Sequence, residues 1–394
     1  MAPFSRSLAL PLALLLACDG GGGAGAPGAA GSCRLEGAPI ALPYAREFAV
    51  AARGEEFVLL VAEASGVSAR IVAAGEVRGP EAVALASGPL AAAAQAGDVL
   101  VQSFSYSWQL GAPRLARYDG AAWSVEEGEP LADAGFTTRG GTLAAREGEA
   151  VAVWVEGVSE ARARVAPWGE GAFGPAVDAL GDVAELSGYS VHAAYDGAGR
   201  LHVATVGAVG GERGLVRAVR EASGAWGAAA LVGAVPGYLQ NTVTTAMAAD
   251  GAGAVWLAEV HGADYFEDTA GGLTVWRDAG AGAERVGALS DDRPVAEGLA
   301  LAALGDGRVV ATASWGENNL DAAASDDAVA LYACAASGGC RRALTLDGRR
   351  GVFYEATKVA AAGTRGLAVW AWTNKGAAGA QGLTAQRFDC TPAP

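Results

Sequence analysis

Asp250-Gly251-Ala252-Gly253-Ala254-Val255-Trp256-Leu257-Ala258 decides how the rest of the chain is read. A turn of small residues hands over to an apolar strand. The same phrase stands at Asp196-Gly197-Ala198-Gly199-Arg200-Leu201-His202-Val203-Ala204. Working outward in both directions, a turn glycine followed by an alternating or apolar strand recurs at Gly54, Gly97, Gly148, Gly307 and Gly366, so that the seven glycines lie about 43 to 59 residues apart. A further strand follows most of these, as in Gly214–Val219 and Gly272–Trp276, and a third often comes after a short turn such as Gly224-Ala225-Trp226-Gly227. Counting the strand before each glycine, one period holds about four strands, the content of a propeller blade.

A solenoid shares this period, and the cysteines separate the two. Tyr332-Ala333-Cys334 is followed across a glycine turn by Cys340-Arg341, while the chain ends in Phe388-Asp389-Cys390 and the folded region begins at Cys33-Arg34. Superposing the repeats puts Cys390 on Cys334 and Cys33 on Cys340, so one hairpin is written twice, once continuously and once split between the chain ends. That is the signature of a circle whose N-terminal segment supplies the outer strand of the last blade. The sequence thus predicts an all-β propeller over residues 33–394 with seven blades (six or eight being the alternatives), and disulfides Cys33–Cys390 and Cys334–Cys340. Both bridges suit an oxidising compartment, and two distant pairs without CxxC spacing argue against zinc.

The first 17 residues carry one positive charge, at Arg6, and an apolar run Leu8–Ala17. That run is shorter than the ~20 residues a bilayer requires, but it suits an export signal. Its end, Leu15-Leu16-Ala17-Cys18, resembles the lipobox of bacterial lipoproteins, in which the cysteine is acylated and becomes the first residue of the mature chain. The resemblance implies a signal peptide over 1–17, lipidated Cys18 with a Gly-rich tether over 18–32, and an extracytoplasmic protein held to the bacterial cell envelope by lipid alone. Gly20–Gly23 has neither a preceding strand nor a following Gly-Lys-Ser/Thr, so it reads as linker, not a phosphate loop.

The 394 residues carry a formal charge of −15, which repels phosphate backbones and excludes a nucleic-acid partner. Hydrophobic residues make up 52% of the chain, ample for a large core. Of its 28 lysines and arginines only Lys358 and Lys375 are lysine. A monomer is the expected state.

Asp196-Gly197-Ala198-Gly199, Asp250-Gly251-Ala252-Gly253 and Ala225-Trp226-Gly227 also resemble the blade motifs of sialidase-like and other repeat propellers of secreted bacterial proteins. This resemblance spans most of residues 33–394 and specifies a fold more than an activity. In a ring of this kind two loop sets share one face, those between second and third strands and those between blades. Three of the former are long, polar and aromatic: Ser105–Ala112, His261–Gly271 and Trp315–Asp327. Ligand-binding candidates from both sets are Tyr106, Trp108, Tyr238, Asn241, His261, Asp264, Trp315, Glu317, Asn318, Asn319, Arg350 and Tyr354, with Gln240, Arg293 and Glu355 beside them. Flat rings suit sugar stacking and amides suit hydroxyls. Equally, Asn and Asp are ordinary turn residues. No cofactor is called for; His261, Asp264, Tyr265, Glu267 and Asp268 offer calcium or sugar chemistry, or simply a solvated acidic loop. His192, His202, Trp154, Trp256, Trp276 and Trp370 fall on strand patterns and are expected to pack.

A sialidase-like hydrolase would display an arginine triad, a Tyr–Glu pair and an acid. Arg293, Arg350, Tyr354 and Glu355 are the nearest counterparts, but the family's Ser-x-Asp-x-Gly-x-Thr-Trp boxes and Arg-Ile-Pro motif are missing from the sequence. No Gly-x-Ser-x-Gly elbow or His-Glu-x-x-His helix is written either. The expectation is a binding module for a glycan or protein partner, with no catalytic residues assigned.

Overall fold

The computed structural model describes residues 32–391 apart from 86, 96, 104–113, 128–137, 157–160, 170–171, 187–190, 235–242, 262–270, 292–294, 317–326 and 375–379. After β1 (Arg34–Leu42), blade 1 is β2 (Phe48–Arg53), β3 (Glu56–Glu63), β4 (Gly66–Ala73) and β5 (Glu76–Val83). Blade 2 is β6 (Leu90–Gln95), β7 (Asp98–Ser103), β8 (Arg114–Tyr118) and β9 (Trp123–Glu127). Blade 3 is β10 (Thr138–Arg146), β11 (Glu149–Glu156) and β12 (Arg162–Gly169), with its outer strand broken into β13 (Ala172–Phe173) and β14 (Val177–Asp178). Pro175 lies in the break, where a missing N–H would otherwise interrupt the ladder. Blade 4 is β15 (Val191–Tyr195), β16 (Leu201–Val209), β17 (Glu212–Arg220) and β18 (Ala230–Ala234). Blade 5 is β19 (Thr244–Ala249), β20 (Val255–His261), β21 (Gly271–Asp278) and β22 (Ala283–Asp291). Blade 6 is β23 (Val295–Ala303), β24 (Val309–Gly316), β25 (Ala328–Ala335) and β26 (Gly339–Asp347).

Blade 7 is assembled from both ends of the chain: its sheet order is β1, β29 (Gln381–Asp389), β28 (Arg365–Asn374) and β27 (Val352–Ala362). Arg34 lies opposite Asp389 and Leu42 opposite Leu383. Cys33 is bonded to Cys390 across this seam, and Cys334 to Cys340 across the β25–β26 hairpin. Charge reinforces the seam, with Arg34 Nη2 2.8 Å from Asp389 Oδ2 and Glu36 between Arg365 and Arg387. Each inner strand touches the next, and β27 touches β2, so the seven blades form a closed ring.

One turn lies elsewhere than the repeat spacing suggests. In blade 7 the tight turn falls at Gly363, with φ of 61°, whereas Gly366 is inside β28. The ring of Phe388 lies over Gly366, where a Cβ would come within 2.1 Å of Cζ. That glycine is kept for close packing and not for chain reversal.

Each interface between blades is filled by one hydrophobic cluster. Trp154 packs between blades 2 and 3, Trp276 between 4 and 5, Trp256 and Trp315 between 5 and 6, and Trp370 between 6 and 7. Phe48 and Phe57 fill the seam between 7 and 1, Leu60 and Ile71 lie between 1 and 2, and Leu180 and Leu201 between 3 and 4. Strands buried on both faces read as near-continuous apolar runs, which is why β24 and β25 are buried along their whole length.

The Asp-Gly-x-Gly turns punctuate and also interlock. Asp250 Oδ1 accepts from the amides of Ala252 and Ala254, while Oδ2 accepts from Trp256 Nε1 at 2.9 Å. Asp196 repeats the arrangement with His202 in place of the tryptophan, Nε2 lying 3.0 Å from Oδ2. Gly197 then donates to the carbonyl of Gly253 in the next blade, and a Cβ on Gly197 would lie 2.8 Å from the Gly253 Cα. Gly305 and Gly363 meet in the same way between blades 6 and 7. These hairpins define a turn face, where β1 begins. The connections between second and third strands and between blades lie on the opposite, loop face.

Candidate functional site

Most of the residues expected to recognise a ligand lie outside the described residues: Tyr106, Trp108, Tyr238, Gln240, Asn241, Asp264, Tyr265, Glu267, Asp268, Arg293, Glu317, Asn318 and Asn319, as does Cys18. Five fall inside, Trp315, His261, Tyr354, Arg350 and Glu355, and the first three are packed and not displayed. Trp315 is 1% exposed in β24 and donates from Nε1 to Tyr332 Oη at 2.8 Å. Its ring is core between two blades, so the expected stacking platform is corrected to a structural tryptophan. His261 ends β20 with Nδ1 3.1 Å from the buried Glu259 Oε2, and its imidazole faces protein. Tyr354 is also buried, its hydroxyl accepting from the Arg349 amide at 3.1 Å. Arg350 alone is exposed.

Strand parity explains why Tyr354 and Glu355 do not form a pair. Adjacent residues of a strand point to opposite faces. Tyr354 turns into the interface with blade 6, and Glu355 turns the other way. Glu355 instead receives Tyr44 Oη on Oε2 at 2.7 Å and Thr373 Oγ1 on Oε1 at 2.6 Å. Tyr44 comes from the link between β1 and β2, 311 residues away, and no local sequence signal announces it. Burial, then the hydrogen bond and charge of Glu355, push the Tyr44 phenol up to about 12.

Beside this pair lies a second set of groups. Asp347 accepts from the Arg349 guanidinium and, at 3.0 Å, from Trp370 Nε1, while the guanidinium lies 4.2 Å over the ring of Trp372. Burial alone would raise the Asp347 carboxyl; the hydrogen bonds of Arg349, Trp370 and Tyr354 outweigh it and hold the group below the ordinary range. The blade 7 corner of the loop face thus carries two tyrosines, two tryptophans, an arginine and two carboxylates.

The central channel opens a cavity of about 170 Å³ lined by all seven inner strands. Small and apolar residues such as Ala49, Ala92, Gly141, Ala246 and Ala300 form most of its wall, and Lys358 and His192 are its titratable groups. Burial, then the charge of Lys358, lowers the His192 imidazole to about 3, so it stays neutral, held by the Thr245 backbone. His202 is packed at 1% exposure, as its strand position suggests, and burial lowers it too. Among the described residues no group of three or more His, Cys, Asp or Glu could hold a metal ion.

Solved structures share this architecture. An ulvan lyase of a polysaccharide lyase family, bound to -[GlcA(1-4)Rha3S]-, aligns over 89% of this chain and 95% of its own with a TM-score of 0.58 and 10% identity. A second structure of a PL25 ulvan lyase aligns over 91% and 94% with a TM-score of 0.57 and 10% identity. A Trypanosoma rangeli sialidase aligns over 77% of this chain and 56% of its own with a TM-score of 0.49 and 11% identity. The likeness is one of fold. No protein family and no curated protein matches the sequence.

Among the described residues, the blade 7 corner of the loop face offers hydroxyls, carboxylates, a guanidinium and aromatic edges. The Glu355 carboxylate, 2.7 Å from the Tyr44 phenol, favours the neutral phenol and also lies within reach of its proton. Glu355 already accepts two hydroxyl donors. The arrangement is a pre-organised polar corner with aromatic edges.

Proposed function

We propose that this protein is an envelope lipoprotein whose propeller binds a glycan on its loop face without cleaving it. The observation that carries this reading is the Tyr44–Glu355–Thr373 cluster, in which the carboxylate is already engaged by two hydroxyl donors beside the aromatic and charged edge of the same corner. Shallow aromatic and charged edges such as Trp372 and Arg349 then supply stacking and hydroxyl contacts. The ulvan lyase, similar in fold at a TM-score of 0.58, is itself bound to a saccharide.

The same reading anchors the chain through acylated Cys18. Cys33 lies on the turn face, bonded to Cys390, so the chain enters the ring on the face opposite the loops. Two measurements test the proposal. The full chain in detergent is passed over an oligosaccharide array that includes sialylated and uronate-containing glycans, and bound glycans are assayed for new reducing ends and unsaturated products. Retention without product is expected. Retention on no glycan sinks the recognition claim, and turnover sinks the non-catalytic one. For the anchor, labelled fatty acid is expected in the native chain and not in C18S; equal labelling overturns it.

A further inference from the structure

We propose that the central channel is a covalent capture site for small carbonyl compounds, with the Lys358 side chain as the amine that forms an imine with them. This goes beyond glycan binding at the loop face and does not depend on it.

The case begins with what a closed ring does to a cation. Lys358 lies in the middle of β27 and faces a cavity walled by small and apolar side chains from every blade. Its side chain is exposed to the solvent of that lumen, and the ring of inner strands surrounds it. Among the described residues no carboxylate lies within 4.0 Å of it; Glu47 acts from farther off. An unpaired charge in such a place is relieved by losing its proton, a route open to lysine and closed to arginine. Elsewhere in the chain cations are nearly all arginine, and lysine occurs only at 358 and 375. Desolvation lowers the Lys358 ammonium below an ordinary lysine, and Glu47 only partly opposes it. His192, the lumen's other titratable group, stays neutral and leaves Lys358 as the sole charge there to be shed.

An amine that gives up its proton more readily than an ordinary lysine offers more of the free base, which in an alkyl-lined lumen is a nucleophile. Its Nζ lone pair attacks the carbonyl carbon, forming a C–N bond, and a proton passes from nitrogen to the carbonyl oxygen. Loss of that oxygen as water leaves the imine, so the step needs no oxidant or reductant. A cavity of about 170 Å³ takes the volume of about five or six waters, which admits aldehydes and α-keto acids of two to four carbons and excludes polymers.

The test uses the scarcity of lysine. The full chain is incubated with glyoxylate and cyanoborohydride from pH 6 to 9, with Nα-acetyl-lysine in the same tube, and the adducts are mapped by peptide mass spectrometry. Lys358 is expected to be alkylated at least tenfold faster than Lys375 and the free amine at pH 7. Its rate should also reach half-maximum at least one pH unit lower. The adduct disappears in K358R or, if that variant fails to fold, in K358M with an unchanged circular dichroism spectrum. Labelling of Lys358 at or below the rate of the reference amines overturns the proposal, and so does a pH profile that matches theirs.

Discussion

Replacing Cys33 and Cys390 by alanine should destabilise the protein far more than replacing Cys334 and Cys340, although each pair of substitutions removes the same atoms. The bridges close loops of very different length, with sequence separations of 357 and 6. Chain entropy assigns about 6 kcal/mol to the long loop and about 2 kcal/mol to the short one, a difference of about 3.5 kcal/mol. Packing losses are alike, because Cys334 and Cys390 are fully buried and their partners nearly so or half-buried. They therefore cancel largely from the comparison. Seam contacts that survive the substitution, Arg34 with Asp389 and Glu36 with Arg365 and Arg387, keep β1 paired in the native state, so the effect is read as a change in the unfolded ensemble. The assay is urea unfolding of the full chain and both double variants, followed by tryptophan fluorescence. Native-like m-values in the short-loop variant and a steeper one in the long-loop variant would report the looser denatured chain. Equal losses, or a larger loss from the short bridge, would refute the reasoning.

Trp315→Ala should cost about 3–5 kcal/mol in the same urea assay, as expected for a large residue removed from a packed core; unchanged stability would return Trp315 to the surface. Gly197→Ala should cost about 1–3 kcal/mol, since its Cβ would lie 2.8 Å from the Gly253 backbone, and an unaffected melt would show that the turns of blades 4 and 5 do not interlock. Stability should fall with acidification through His192. It is neutral in the folded state down to about pH 3, whereas an unfolded histidine takes up its proton below about 6.5. Its contribution is therefore whole above pH 6.5 and declines toward pH 3, by up to about 1.4 kcal/mol per pH unit. Because His202 titrates in the same direction, the measurement is the difference between the native chain and His192→Leu from pH 4.5 to 6.5. Parallel curves would remove His192 from the account.

Ring closure was legible because two cysteine hairpins carried like flanks, an aromatic residue two before the first cysteine and an arginine after the second, one hairpin being split between the chain ends. Turn glycines marked every blade, although the seventh was displaced: Gly363 and Gly366 look alike in sequence, and only Phe388 overhead tells them apart. The loop face was harder. Trp315 is followed by Gly-Glu-Asn-Asn, which reads as a loop, yet β24 runs through to Gly316 and its hydrogen-bond partner Tyr332 lies on the next strand. Tyr354 and Glu355 were read together because they are adjacent, whereas alternation along β27 separates them. Tyr44 could not have been found locally, since its meaning depends on the register of a strand from the far end of the chain. Lys358 left one trace, its rarity, whose significance required knowing that β27 lines the channel.

Blade 7 also sets a timetable. β1 is made early and its partner β29 last, the cysteines that join them being 357 positions apart. At about 5–20 residues per second the first strand waits roughly 20–70 s on the ribosome before its partner exists. Throughout that interval an unpaired strand edge and the open flank of blade 1 are available to any passing chain. A ribosome that stalls short of the last blade leaves an arc with two sticky ends, a shape suited to joining other arcs. By the same reasoning the ring stays open until β29 emerges.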